Sequence, residues 1–176
     1  RSYATNNVGT AYGNELSFYT LSNEPTAAAT SFTATANGSS QIDLAWTAAS
    51  FPGAGASNSG YIVLRRSDST NPTTSNVTDG VAPASLSLPS GTTLVTTITS
   101  GVTSSFNNTG LSASTQYNYL IIPFTWDGTN AATYNYLLTS APSANATTAA
   151  GFPTVSTTTA ANSITHTSAS SGGSTL

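Results

Sequence analysis

Gln41-Ile42-Asp43-Leu44-Ala45-Trp46-Thr47 carries an apolar side chain at every second position, and Gln116-Tyr117-Asn118-Tyr119-Leu120-Ile121 repeats the pattern through Tyr117, Tyr119 and Ile121. A period of two is that of a strand with one face against a core. No stretch sustains the helical period of about 3.6 residues, and the Ala-rich segment Thr26–Thr30 is brief and follows Pro25. The chain therefore reads as all-β.

Working outward from these two runs, strand patterns recur at Ser31–Ala36, Gly60–Arg66, Thr92–Thr99, Ser104–Asn107 and Thr133–Thr139, with the second run extending to Trp126. Seven short strands in about 120 residues is the count of a two-sheet sandwich. Residues sharing the inward parity are Ile42, Leu44, Trp46, Tyr61, Val63, Phe106, Leu111, Tyr117, Tyr119 and Ile121, with Phe32 closing one edge. The opposite parity also contains apolar side chains: Ile62 and Leu64 on one strand, Leu120, Ile122 and Phe124 on another. A sandwich sheet facing water is polar on its outer side. These five residues are therefore a candidate interface, to be covered by the 67–91 insertion or by a neighbouring subunit. That insertion occupies about 25 residues, where connections of two to six are commonest.

Composition narrows the function. Among 176 residues, charged side chains make up 5%, the net charge is −3, and Ser and Thr supply roughly a third. A surface of neutral hydroxyls and amides lacks the basic footprint that nucleic acid requires. With no Cys and no Lys, neither a disulfide, a thiolate metal site nor a Schiff base can form. The longest apolar run, Tyr119–Phe124, is too short for a spanning helix, so no membrane insertion is expected. Hydrophobic residues at 38% nevertheless suffice for a core. Arg1 as first residue suggests an excerpt of a longer chain.

Flanking pieces are shorter. Arg1–Asn6 and Glu15–Thr20 read as strands of a hairpin around Val8–Gly13, and Thr154–Thr159 and Ser163–Ser168 as the opening strands of something further. The expected division is residues 1–23, 24–149 and 150–176. Two-stranded pieces are marginal alone, so each of the outer two is expected to need partners.

Ile42-Asp43-Leu44-Ala45-Trp46, Gly60-Tyr61-Ile62-Val63-Leu64-Arg65-Arg66, Thr109-Gly110-Leu111 before Thr115-Gln116-Tyr117-Asn118-Tyr119, and Ala141-Pro142 together resemble a fibronectin type III domain. The resemblance implies a Greek-key β-sandwich with Trp46 in the core and Tyr117 as a tyrosine corner. Arg1–Glu15 is similar to the closing hairpin of immunoglobulin-like repeats in large Bacteroidetes surface proteins, and Pro153–Gly173 to the opening of such a repeat. These partial repeats imply a tandem array, secreted or held at the surface of a Gram-negative bacterium, often through type IX secretion. Asp68-Ser69-Thr70 resembles the O-glycosylation signal of such proteins, which makes Ser69 a candidate for a covalent glycan.

Catalysis is poorly provided for. His166 is the single histidine, and the six carboxylates, Glu15, Glu24, Asp43, Asp68, Asp79 and Asp127, are dispersed in sequence. Asp127-Gly128 reads as a turn rather than a calcium loop, because one carboxylate cannot fill six to eight ligand positions. Trp126, with Tyr134 and Tyr136 nearby, is a weak carbohydrate-contact candidate; its plainer role is to cap the sandwich end. No enzyme and no cofactor are expected. The expected function is a structural segment of a long extracellular adhesin, stalk or filament whose partners are adjoining repeats or identical subunits. The competing reading is a spacer or carbohydrate-binding module of a secreted polysaccharide-degrading enzyme.

Overall fold

The structure is a computed structural model that describes residues 1–53, 58–152, 155–162, 165, 167 and 170–175, the two strands after residue 154 as backbone. Tyr3–Thr5 (β1) and Thr10–Tyr12 (β2) form a hairpin. There follow Thr30–Ala36 (β3), Gln41–Thr47 (β4), Ser59–Arg66 (β5), Thr93–Ile98 (β6), Ser105–Thr109 (β7), Gln116–Thr125 (β8), Asn135–Tyr136 (β9) and Ser143–Thr147 (β10). Val155–Asn162 (β11) and Ser170–Thr175 (β12) pair as a second hairpin. Among the described residues there is no α-helix, only two single 3-10 turns at Pro83–Ser85 and Ala131–Thr133.

The body is an antiparallel β-sandwich. One sheet runs β3-β4-β7, the other β10-β8-β5-β6, with β9 added beside the end of β8. The chain changes sheet between β4 and β5, between β6 and β7, and again into β8. β3 and β10 lie close together along one side. The inner faces enclose Ile42, Leu44, Trp46, Tyr61, Val63, Leu111, Tyr117, Tyr119 and Ile121, all buried. Trp46 meets Tyr61 and Phe32 edge-on, with ring centroids 5.5 Å and 6.3 Å apart. Phe106, expected inside, is only half-buried because β7 is an edge strand with no further strand to shield it.

Polar groups in this core are bonded by geometry that the strands impose. Tyr61 Oη accepts from the Ala49 N–H at 2.8 Å and donates to the Gly101 carbonyl at 2.9 Å. Tyr117 Oη accepts from the Ser112 N–H at 3.0 Å, the bond of a tyrosine corner. Gly60 is required by close approach: a Cβ there would stand 1.8 Å from the Ile98 carbonyl oxygen. Pro123, in the middle of β8, sits where the flanking chain passes from β9 to β10, and its carbonyl accepts from Leu137 at 3.1 Å. Its missing N–H falls in that break in the ladder, which is why a central strand tolerates it.

Three strand assignments differ from the sequence reading. Thr133–Thr139 is not the last sandwich strand; only Asn135–Tyr136 pairs there, and β10 takes that place against Gln116–Leu120. The alternation of Tyr134, Tyr136 and Leu138 is real, but these side chains pack as a cover over the sheet. Glu15–Thr20 forms no strand. The first hairpin closes earlier, because Asn6 Oδ1 accepts from the Val8 and Gly9 N–H groups at 2.9 and 3.1 Å and the Asn6 N–H reaches the Gly9 carbonyl. That is a tight turn nucleated by an asparagine side chain. In the second hairpin, β12 begins at Ser170, after the expected Ser163–Ser168; His166 lies outside the described residues.

Candidate functional site

The outer face of the β5–β8 pair is where the sequence pointed to an interface. Ile62, Leu64, Leu120, Ile122 and Phe124 are all buried, and the chain itself buries them. Val77, Leu86 and Leu88 come from the 67–91 insertion, and Tyr134, Tyr136 and Leu138 from the segment after β8. These five side chains are thus not an interface open to a partner. The insertion can cover them because a few apolar residues, spaced along an otherwise polar loop, face one way.

Two loops share the work and are bonded to each other. The Tyr136 N–H donates to Asp79 Oδ1 at 2.8 Å, Tyr136 Oη donates to the Val81 carbonyl at 2.8 Å, and the Gly80 N–H reaches the Tyr134 carbonyl at 2.8 Å. Burial raises the Tyr136 pKa, with Tyr134 and Asp79 pushing the same way. Asp79 attracted no assignment in the sequence, and an isolated acidic residue in a loop gives no signal of a partner 57 positions away.

At the end of the cover stands Trp126. It is half-buried and stacks on Tyr134 with centroids 4.9 Å apart and planes 19° from parallel; Tyr134 stacks on Tyr136 in turn at 6.0 Å. One face of the indole is therefore occupied by a neighbouring ring, as a cap requires and a sugar platform does not. The following turn is held by Asp127, whose Oδ1 accepts from the Thr129 and Asn130 N–H groups at 2.8 and 2.7 Å. Those backbone donors lower the Asp127 pKa. Gly128, at φ +90°, supplies the left-handed residue.

The Asp68-Ser69-Thr70 turn opens the insertion. Asp68 Oδ1 accepts from the Thr70 N–H at 3.0 Å and from Arg66 Nε at 3.0 Å, while Arg66 Nη1 donates to the Ser90 carbonyl at 2.9 Å. Arg66 thus buckles both ends of the loop to β5. The guanidinium, then Thr70, hold the Asp68 carboxyl well below the usual carboxylate range. Ser69 is exposed at the tip. Asp43, on the outer face of β4, accepts from Asn37 and Gln41 amides at 2.8 and 2.6 Å. Among the described residues, no three His, Cys, Asp or Glu side chains gather as metal ligands would.

A run of exposed apolar side chains lies elsewhere, in the stretch between the first hairpin and the sandwich. Leu16 is 88% exposed and Phe18 85%. The stretch is tethered just beyond them: the Ser22 N–H donates to the Thr133 carbonyl at 2.9 Å, Asn135 Nδ2 to the Ser22 carbonyl at 2.7 Å, and Thr125 Oγ1 to the Asn23 carbonyl. In the hairpin strand that the sequence predicts over Glu15–Thr20, alternation would place Leu16 and Phe18 together on one face; without that strand they stand in solvent.

Comparison with known proteins adds little to these residues. No protein-family model matches the chain, and no curated protein matches it. Among solved structures, a β-sandwich protein redesigned by computer matches with 15% identity, covering 70% of this chain and 90% of that one, at a TM-score of 0.41.

Proposed function

We propose that this chain is a non-catalytic structural segment of a long extracellular bacterial adhesin, stalk or filament built from tandem β-sandwich repeats. Residues 24–149 are read as a fibronectin type III-like domain, supported by the strand order and by the Tyr117 corner bond. Residues 1–23 and 150–176 are read as partial immunoglobulin-like repeats completed by neighbours.

The observation that carries the proposal is the double cover of the central sheet. The β5–β8 pair is sealed on one side by the second sheet and on the other by the chain's own loops. Such a body buries its apolar surface inward and presents hydroxyls and amides outward, which suits a spacer that must stand in water without engaging bystanders. Ser69 is the position proposed to carry a glycan.

An antibody raised against the folded chain tests this reading on the source cells. It is expected to label intact, unpermeabilised cells and to detect a species far larger than 17.7 kDa on denaturing gels. Labelling only after lysis would overturn it, and co-purification with polysaccharide hydrolysis would favour the enzyme-spacer reading instead. Mass spectrometry of the same material should show a hexose-containing adduct on the peptide bearing Ser69.

A further inference from the structure

On β5, Tyr61, Val63 and Arg65 share the inward parity, so the Arg65 guanidinium lies on the core side of its sheet. It is half-buried, lies over the Tyr117 ring at 5.0 Å and donates through Nη1 to Asn108 Oδ1 at 3.1 Å. Its other N–H groups have no partner, and no carboxylate reaches it, among the described residues. The remaining two arginines are occupied: Arg66 pairs with Asp68, and Arg1 lies over the Tyr12 ring at 4.5 Å. A charge drawn out of water without a counter-ion is costly, so this one calls for an anion.

The groups around Arg65 have the same bias. Here the two sheets end in β6 and β7, each bonded to a single neighbour, and between them lies a cleft of about 260 Å³. Its inward-facing lining is Arg65, Thr93, Val95, Phe106 and Asn108, with Thr93 opposite Arg65 in the β5–β6 register. Asn108 is 3% exposed, and with Oδ1 taken by Arg65 its Nδ2 is a donor without a partner among the described residues. Tyr119, opposite Arg65 on β8, is fully buried with its Oη unpartnered. Donors are thus in surplus and acceptors are short. Asp43 does not redress the balance: it stands opposite Asn107 in register, but on the outer face of β4, where Asn37 and Gln41 hold it.

Phe106 narrows the kind of anion. Trp126 has one face taken by Tyr134, whereas Phe106 makes none of the ring contacts that hold the core aromatics together and stands half-buried in the cleft wall. An aromatic side chain beside hydroxyl and amide groups suits a sugar ring, whose C–H face packs on the aromatic while its hydroxyls meet residues such as Thr93 and Asn108. The guanidinium adds a demand for a carboxylate, which its planar fork matches. A net charge of −3 over the chain disfavours a dianion such as phosphate. The cleft is smaller than the roughly 300–1,000 Å³ of sites for drug-sized ligands, a size for one ring.

We propose that the cleft between β6 and β7 binds one carboxylated sugar of the hexuronate class, with its carboxylate on Arg65 and its ring against Phe106. The site goes beyond the structural reading, which assigns the segment no ligand, and it uses residues of a single sandwich. It gives an otherwise neutral surface one selective contact.

Amide NMR of the full, isotope-labelled chain titrated with sodium D-glucuronate tests the site. The amides of Arg65, Thr93, Phe106 and Asn108 are expected to shift saturably, and uncharged D-glucose and sodium acetate should each bind about tenfold or more weakly. Arg65→Lys keeps the charge but not the fork, and should weaken glucuronate binding by about tenfold. Asn108→Asp places a carboxylate beside Arg65 within the chain; it is expected to raise the melting temperature and to abolish glucuronate binding, a combination that unfolding does not produce. Equal binding of glucose and glucuronate would overturn the role of Arg65. Acetate or a Glu-containing peptide binding as tightly as glucuronate would overturn the sugar assignment in favour of a peptide carboxylate. No saturable shift at these residues, or undiminished binding by Asn108→Asp, would overturn the site itself. Surface labelling by the antibody is independent of every arm, so the site and the structural reading can fail separately.

Discussion

The β5–β8 pair is covered on its two faces by different means. Its inner side meets a second hydrogen-bonded sheet through Ile42, Leu44 and Trp46, and the outer side meets two loops that contribute Val77, Leu86, Tyr134 and Tyr136. A sheet brings its apolar residues as one rigid layer, whereas a loop cover relies on a few bonds such as Asp79 to Tyr136 and Gly80 to Tyr134. Equal burial therefore does not mean equal stability. Loop covers open locally at a fraction of the free energy of global unfolding.

Breaking the inner side should cost most. Trp46→Ala removes a ring wedged between Phe32 and Tyr61 and is expected to lower stability by about 3–5 kcal/mol, read as a shift of the whole denaturant transition. A loss below about 1 kcal/mol would mean that the two sheets do not depend on this contact. On the outer side, Ile122→Ala is expected to cost about 2–3 kcal/mol, the low end for such truncations, because a loop cover can settle into the space. Hydrogen exchange sharpens the contrast. Amides around Val77 and Tyr136 should lose protection in that variant while those of β4 keep theirs, and a uniform loss would erase the distinction.

Alkaline titration compares the faces in one experiment. Burial pushes Tyr119, on the inner side, up to about 12, and burial also raises Tyr136 on the outer side. Because a raised pKa means that the folded state holds its proton more tightly, their contribution is intact below the unfolded value near 10. It then falls by about 1.4 kcal/mol per pH unit per tyrosine as pH climbs from about 10 toward the native value. If the outer cover opens separately, the phenolate absorbance that Tyr136→Phe removes should belong to a step preceding global unfolding, on top of the signal of the exposed Tyr3, Tyr12 and Tyr19. Removal only from the step coincident with global unfolding would show the faces to be one cooperative unit.

The smallest effect is expected at the Arg66–Asp68 buckle. The Asp68 pKa is depressed, so the contribution is present above the unfolded value near 4 and is lost as pH falls below it. The pair is exposed and screened by salt, so Asp68→Asn should leave the global transition in place while raising protease cleavage within residues 67–91. A shift as large as that of Trp46→Ala would make the buckle part of the core.

Legibility followed side-chain bulk. β4, β5 and β8 could be read because they carry large apolar residues, alternating in β4 and the start of β8 and unbroken in β5, and the inward set from Ile42 to Ile121 is buried except for the half-buried Phe106. The sequence gives no sign of β10 because its inward residues are Ala144 and Ala146, too small to stand out, although all five of its residues pair with β8. Thr133–Thr139 misled for the converse reason: Tyr134, Tyr136 and Leu138 alternate to pack downward on Phe124 and its neighbours, with two residues in a ladder. Alternation reports which side chains are hidden, not which backbone groups are paired.

By itself the sequence determined the all-β character, the inner core and the fact that the outer face of the β5–β8 pair had to be covered, since each follows from the period and bulk of residues within single strands. Only the tertiary structure decided what covers that face, which strand edges stay open, and that Leu16 and Phe18 stand in solvent. These depend on contacts between residues far apart in the chain, such as Asp79 with Tyr136 or Ser22 with Thr133, and local periodicity carries no information about such pairings.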